Sequence, residues 1–433
     1  MAPRGGRGTG AARLSAGSAR ALGLLARRAD VALAASCARP GDRVRAVGGA
    51  VRDALLGRRG GDLDLSVAAG RSEAFARRLA SRAGARAVPV GTPPRRIFKV
   101  PFRDREIDVW EEEGGPDQDL LRRDFTINAI AFDLAEGAFA SPPGALEDLR
   151  RRVLRAPRAG VFLEDPLRVL RAARFLAELP GFRIARGAEA EIRAAGRFLR
   201  TVPEERRLVE LDRLLAAPPK DRERALHFLE RLGILSSLIR GGAPRTRRGI
   251  SLVGRLESSD PRVARALLLL PLGPRKAADL LRRWKTSREE QRLAGRLFSL
   301  PLGAGRGAPR ERRGAPRPLT RRDVAELLRR SSPFEKESLL FLLAAGDARA
   351  RDLARAALRL VRRPAALRRI LRPERPLPLE EIRRALGLNE GPELGKALAE
   401  LDLALASGEI RGAKAARVWL RSRAGVGNAS PGC

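Results

Sequence analysis

The chain is 433 residues long, enough for two or three domains with sizeable cores, and its 87 Lys and Arg against 51 Asp and Glu leave a formal net charge of +36. Part of that excess belongs to a composition rich in Arg, Ala, Gly and Pro throughout; the remainder favours a polyanionic partner, because neutralised phosphates release their counterions. The lone His227 and the two cysteines, Cys37 and Cys433, exclude serine–histidine–aspartate hydrolysis, histidine-based metalloprotease and phosphohydrolase domains, a zinc site and a disulfide framework.

Residues 1–28 are Arg-rich and contain no acid, a pattern shared with organellar transit peptides. Against the Arg-rich background of the whole chain, residues 1–18 are expected to form a disordered basic tail. The cysteine usage suits a reducing compartment and no apolar run reaches membrane-spanning length, so a cytoplasmic protein with no membrane partner is expected. Helical periodicity runs from Ala19 to Ala35, followed by a turn at Arg39–Asp42. A strand, Val44–Val47, then enters Gly48-Gly49, and a short helix, Val51–Leu56, leads to a strand carrying Asp62 and Asp64. An amphipathic helix spans Ser72–Ala83 and is stopped by Gly84. Alternation predicts strands over Arg86–Val90, Arg96–Phe102 and Arg105–Trp110, then an acidic loop over Glu111–Asp119. From Val161 onward the pattern is helical, joined by Pro/Gly turns, with no strand expected. Pro166–Leu179 is one of these helices, and Arg168, Arg171 and Arg174 recur along it at i, i+3 and i+6. His227 falls within another.

Asp62 and Asp64 share one face of their strand, so their charges repel unless a cation lies between them. Beside a glycine turn whose N–H groups can take phosphate oxygens, that pair points to Mg²⁺ and a nucleotide; such acids also cap turns. Asp108, between apolar residues on a later strand, is costly to bury unless paired or metal-bound. If its strand neighbours that of Asp64, three carboxylates converge and two Mg²⁺ can be held, the third acid taking a proton from an attacking hydroxyl. Glu111, Glu112 and Glu113 read as loop charges. Arg122 and Arg123 suit phosphate oxygens and Asp124 a ribose hydroxyl, or they form a helix cap with a solvated basic pair. Glu164-Asp165-Pro166-Leu167-Arg168 is ordinary helix-start chemistry, yet Asp165 can accept from and Arg168 donate to a base edge. Arg171 and Arg174 can stack on the base or hold a triphosphate.

Together, Gly48-Gly-Ala-Val-Arg-Asp53, Asp62-Leu-Asp64, Arg122-Arg-Asp-Phe-Thr-Ile-Asn-Ala129 and Glu164-Asp-Pro-Leu-Arg-Val-Leu-Arg-Ala-Ala-Arg-Phe175 resemble the motif series of class II tRNA nucleotidyltransferases, in a superfamily shared with bacterial poly(A) polymerases. Val202–Arg206, Leu386–Gly395 and Gly408–Ile410 extend the resemblance more loosely. It implies an α/β head with a mixed sheet and covering helices (19–155), followed by an elongated all-α part. That part comprises a neck with a template helix (156–240), a body (241–302), a flexible linker (303–318) and an RNA-binding body and tail (319–422), before a disordered end (423–433). It also implies Asp62 and Asp64 as ligands of two Mg²⁺, and Asp108 as the third catalytic acid. Gly48, Gly49 and Arg52 match the triphosphate turn, and Arg123 and Asp124 the pair near triphosphate and ribose. Asp165 and Arg168 match the protein template that reads C or A, supported by Arg171 and Arg174.

The implied reaction is attack of a tRNA 3′-hydroxyl on CTP or ATP with release of pyrophosphate, the basic helical body gripping the tRNA. The short interval Val109–Leu121 resembles enzymes that add only two cytidines and leave the terminal A to a separate enzyme. Full CCA addition and poly(A) synthesis share the same motifs, and a non-catalytic RNA-binding relative would lack an acid or template residue, none of which is missing.

Overall fold

A computed structural model describes residues 23, 25, 27–58, 60–92, 96–302 and 318–424. The tail expected over 1–18, all but the last residue of the linker expected over 303–318, and residues 425–433 lie outside the described residues. The chain divides into two compact units, one holding the described residues up to Glu210 with Leu232–Ile234, the other Leu211–Arg231 with the rest of the chain from Leu235.

The first unit opens with α1 (Ala29–Cys37), β1 (Arg45–Val47), α2 (Gly49–Leu55), β2 (Leu63–Val67) and α3 (Ser72–Ala83). Then come β3 (Val88–Val90), β4 (Ile97–Phe102), β5 (Arg105–Glu111), α4 (Pro116–Leu121), a 3₁₀ turn at Thr126–Asn128, β6 (Ala131–Asp133) and β7 (Phe139–Ala140). The seven strands form one sheet in the order β3-β4-β5-β2-β1-β6-β7, and β2–β5 is its parallel pair. Alternation explains the core: Leu63, Leu65, Ile107, Val109 and Val100 are buried, as are Phe75, Ala76 and Leu79 of α3, the helix packed on β4 and β5. β3 carries Pro89 and lies at the sheet edge, where a missing N–H donor is tolerated.

The unit continues through α5 (Ala145–Arg150), β8 (Val153–Leu154), α6 (Val161–Glu164), α7 (Leu167–Glu178), β9 (Arg183–Ile184), α8 (Ala188–Gly196) and the part of α9 (Glu204–Leu215) up to Glu210. β9 corrects the expectation of no strand beyond Val161: it pairs parallel with β8, and two residues are too short to show an alternation. Helix α7 buries eight apolar side chains, and Phe175 meets Phe125 edge-on at 5.6 Å, with Phe162 on the other side of Phe125 at 5.9 Å. The acids after Asp108 are also corrected. Glu111 ends β5 and accepts from Ser72 Oγ at 2.8 Å, while Glu112 is buried and pairs with Arg45 at 3.4 Å.

Among the described residues the second unit is helical throughout. Helices Ala243–Gly254 and Pro261–Leu269 cross so closely at Gly249 that a methyl group there would strike the Leu268 carbonyl. Arg222, fully buried, donates to the carbonyls of Leu215, Ala217, Val253, Leu256 and Ser258, satisfying helix-end acceptors that would otherwise be orphaned. Nearer the C-terminus, Ile382, Leu401, Ala404, Ile410 and Leu420 form one apolar cluster. Helix Gly412–Ala424 runs two residues into the stretch expected to be disordered. The observed fold is the expected one: a mixed sheet with covering helices, followed by helices.

Candidate active site

One row across the sheet builds the centre of the site. Val47, Asp64, Asp108 and Lys99 are successive partners on β1, β2, β5 and β4. Because Leu63, Leu65, Ile107 and Val109 occupy the core face, both carboxylates and the ammonium stand on the other. Lys99 Nζ lies 3.1 and 3.2 Å from the two Asp108 oxygens and also donates to Glu106. Asp62, one residue ahead of β2, is exposed, and its Oδ1 accepts from the Glu106 N–H at 3.1 Å. The strands of Asp64 and Asp108 are therefore neighbours, as the convergence of three acids requires. Even so, among the described residues no three His, Cys, Asp or Glu side chains close around one point.

The electrostatics single out Asp64. Burial pushes its carboxyl up to about 6; Arg123 opposes that rise, while Asp108 and Asp62 add to it. Burial also raises Asp108, against the pull of Lys99. Asp64 accepts no hydrogen bond from any described residue, and the cations near it, Arg123 foremost, act on it only through space. Oxygen donors two residues apart, one of them raised by burial and by its acidic neighbours, fit a hard divalent cation such as Mg²⁺.

Gly48, with φ 72° and ψ −134°, turns β1 into α2. A Cβ there would lie 3.1 Å from Asp64 Oδ2 and 3.2 Å from Arg123 Nη1, so the bare glycine leaves a cradle between acid and guanidinium. Gly49 follows as the first residue of α2, whose leading N–H groups have no partner inside the helix. Arg123 itself is held by Asp119 at 3.1 Å and lies 5.5 Å from the Trp110 ring centre.

Behind this face runs a buried polar chain. Arg52 donates to Asp53 at 2.9 Å and to Asn128 Oδ1 at 2.8 Å. Asn128 Nδ2 donates to Asp124 Oδ1 at 2.9 Å, and Arg171 pairs with Asp124 Oδ2 at 2.8 Å. Burial works to raise Asp124, but Arg171, Asn128 and the Phe125 N–H together hold it below the usual carboxylate range. Arg52 and Arg174 lie 5.2 and 4.4 Å from the Phe175 ring centre, and Arg174 Nε is 3.2 Å from Glu210. In this arrangement Arg52, Asp124, Arg171 and Arg174 tie the glycine turn to α7. Burial limits what Arg52, Asp124 and Arg174 can present outward.

Asp165 and Arg168 instead line an open cleft of about 920 Å³, together with Trp110, Arg122 and Arg206. Asp165 Oδ1 accepts from the Leu167 N–H at 3.1 Å, and Oδ2 lies 3.7 Å from Arg206. Arg168 donates to the Val161 and Arg122 carbonyls at 2.9 and 2.6 Å, which fixes its guanidinium while leaving other N–H groups for a ligand. Sequence reasoning did not single out Lys99, Trp110, Asn128 or Arg206. Asn128 and Arg206 lie inside segments that carry the family resemblance. Lys99 was findable as the polar residue between two core positions, Phe98 and Val100.

Carboxylates on adjacent strands beside a glycine turn, on a mixed sheet followed by helices, define the nucleotidyltransferase class of fold and site. Residues 44–155 match the family model of the poly A polymerase head domain. A CC-adding tRNA nucleotidyltransferase of Thermus thermophilus is 33% identical over 412 residues, covering 86% of this chain and 92% of that protein. A multifunctional CCA protein of Xanthomonas campestris is 41% identical over 206 residues, 43% of this chain and 48% of that one. The crystal structure of the Bacillus stearothermophilus CCA-adding enzyme in complex with CTP superposes with a TM-score of 0.70 at 25% identity, covering 95% of this chain and 99% of that one. The chain belongs to the class II tRNA nucleotidyltransferases and is a nucleotidyltransferase enzyme. Among the described residues, no helix is long and apolar enough to cross a membrane.

Proposed function

We propose that this enzyme adds cytidines from CTP to the 3′ end of tRNA and stops at CC, leaving the final A to a separate enzyme. The observation that carries the choice of product is the connection between β5 and α4. It consists of residues 112–115 alone, and Glu112 is buried in its ion pair with Arg45. A segment this short and anchored has no length for the flexible loop that switching from C to A requires in the family. The near full-length similarity to a CC-adding relative agrees.

In the proposed chemistry the tRNA 3′-oxygen forms a bond to the α-phosphorus of CTP while the bond to the β-phosphate oxygen breaks, releasing pyrophosphate. Asp62 and Asp64 would hold Mg²⁺, which when bound would supply Lewis-acid stabilisation of the phosphoryl oxygens and acidify the attacking hydroxyl. Asp108 accepts the hydroxyl proton. The Gly48–Gly49 turn and Arg123 receive the triphosphate, and Arg52 braces the turn from below through Asn128. Asp124 orients Arg171 toward the ribose and triphosphate side, with Arg174 packed behind it. Asp165 accepts from the cytosine amino group while Arg168 donates to its ring acceptors, so the protein reads the base.

Purified protein incubated with tRNA transcripts ending before CCA, at C and at CC, with CTP, ATP or both, tests this by sequencing of the 3′ ends. Products ending at CC even when ATP is present are expected. A terminal A would convert the reading to CCA addition, and long A tails to poly(A) synthesis.

A further inference from the structure

Lys99 has no part in the chemistry proposed above, yet it makes the closest charged contacts in the carboxylate row. We infer that Lys99 is a positioning residue for Asp108. It grips the third carboxylate by both oxygens, aligning it for the attacking hydroxyl and withholding it from the cation site of Asp62 and Asp64. The inference rests on the carboxylate-row reading of the preceding subsection.

Register is the first support. Lys99 and Asp108 are direct partners on β4 and β5, flanked by the partners Phe98–Val109 and Val100–Ile107. All four flanking residues are buried, so Lys99 cannot slide along Asp108 without unpacking the core. Valence is the second. An ammonium has three donors; two reach the Asp108 oxygens at 3.1 and 3.2 Å and Glu106 takes another. The side chain is only 32% exposed, unlike a freely solvated surface lysine. Charge is the third. Asp64 already bears the repulsion of Asp108 and Asp62, and Lys99 is the cation in contact with Asp108 on this row. With Lys99 in place, Asp108 is committed laterally, and among the described residues no three-acid cluster forms.

Two substitutions in the full-length enzyme test this. Lys99→Met keeps an unbranched side chain one atom shorter and removes the ammonium, whereas Lys99→Arg keeps the charge. Each is assayed for kcat and for KM of CTP on a tRNA acceptor, for Mn²⁺ binding to the nucleotide-free protein by electron paramagnetic resonance, and for melting temperature. For Lys99→Met, kcat should fall about tenfold or more with the KM of CTP little changed. Its Mn²⁺ affinity should rise severalfold, because a repelling charge is gone and a third carboxylate is free. Lys99→Arg should return both toward wild type. A wild-type kcat in Lys99→Met overturns the inference. So does a loss of kcat without a gain in Mn²⁺ affinity, the signature of a folding defect, or an arginine variant no better than methionine. An Asp64→Ala control separates the two readings. If it binds Mn²⁺ as wild type does, the carboxylate site itself fails; if it does not, a Lys99→Met isotherm equal to wild type removes only the role of Lys99.

Discussion

At the scale of single residues, Gly48 is where backbone and chemistry meet most tightly. Its φ of 72° with ψ −134° is a combination that a residue with a Cβ adopts only under strain of about 1–3 kcal/mol. The added methyl of Gly48→Ala would also press on Asp64 Oδ2 and Arg123 Nη1, at 3.1 and 3.2 Å. Both neighbours have roles in the proposed site, so relief by moving either one displaces an acid or a phosphate-binding guanidinium. Gly48→Ala should therefore lower kcat/KM for CTP by at least about tenfold, equivalent to about 1.4 kcal/mol, and steady-state kinetics at saturating tRNA measure it. A near wild-type value would show that no phosphate approaches this turn. The importance of Gly48 was legible in the sequence, because a strand that runs into two glycines and then a helix makes a tight turn with bare N–H groups. Lys99 was legible only as a polar residue between two core positions; its partner Asp108 was not, because pairing is set by cross-strand register and is not written in either strand alone.

At the scale of elements, the same division holds. Long periodic segments such as Ser72–Ala83 and Pro166–Leu179 were legible because burial of one face repeats along them. Glu112 reads as a loop charge in the sequence because its ion-pair partner, Arg45, lies 67 residues away. The two-residue strands β8 and β9 had no pattern to read. Helix Pro261–Leu269 shows what such long-range pairing does for stability. Its Arg265 is buried between Asp212, at 2.9 Å, and Glu290, at 2.6 Å. Burial nevertheless pushes Asp212 up to about 6, outweighing the attraction of Arg265. The folded state thus holds that proton more tightly than the unfolded chain, whose value is near 3.8. Stability from this group is full below about 4 and is lost as the pH rises through about 6. Arg265→Met would strand both acids. It should cost about 3–5 kcal/mol at pH 7.5, as for other buried pairs broken on one side. The penalty should shrink at pH 5, where Asp212 takes up a proton. Urea unfolding of wild type and variant at the two pH values checks this, and a pH-independent penalty would mean that packing, not charge, holds the helix.

At the scale of the whole molecule, the question is what the charge of +36 does. Many arginines are spent internally: Arg222 on carbonyls, Arg52 on Asp53 and Asn128, Arg265 on two acids. The formal excess remains after every acid is matched, however, so positive charge must face solvent; Arg359, Arg362 and Arg363 are exposed examples. Charge distributed in this way over helices is suited to a phosphate backbone recognised by shape, not to a single nucleotide. The two substrates should then part company in salt. The apparent affinity for tRNA should fall with a log–log slope steeper than about −3 as potassium chloride is raised, each phosphate contact contributing about −0.7 to −0.9. The KM for CTP should change far less, since a triphosphate turn and a template pair involve few displaced counterions. Kinetics over a salt series, varying one substrate with the other saturating, give both slopes. Parallel slopes would assign the excess charge to the nucleotide pocket, and a flat tRNA slope would reduce it to a feature of composition.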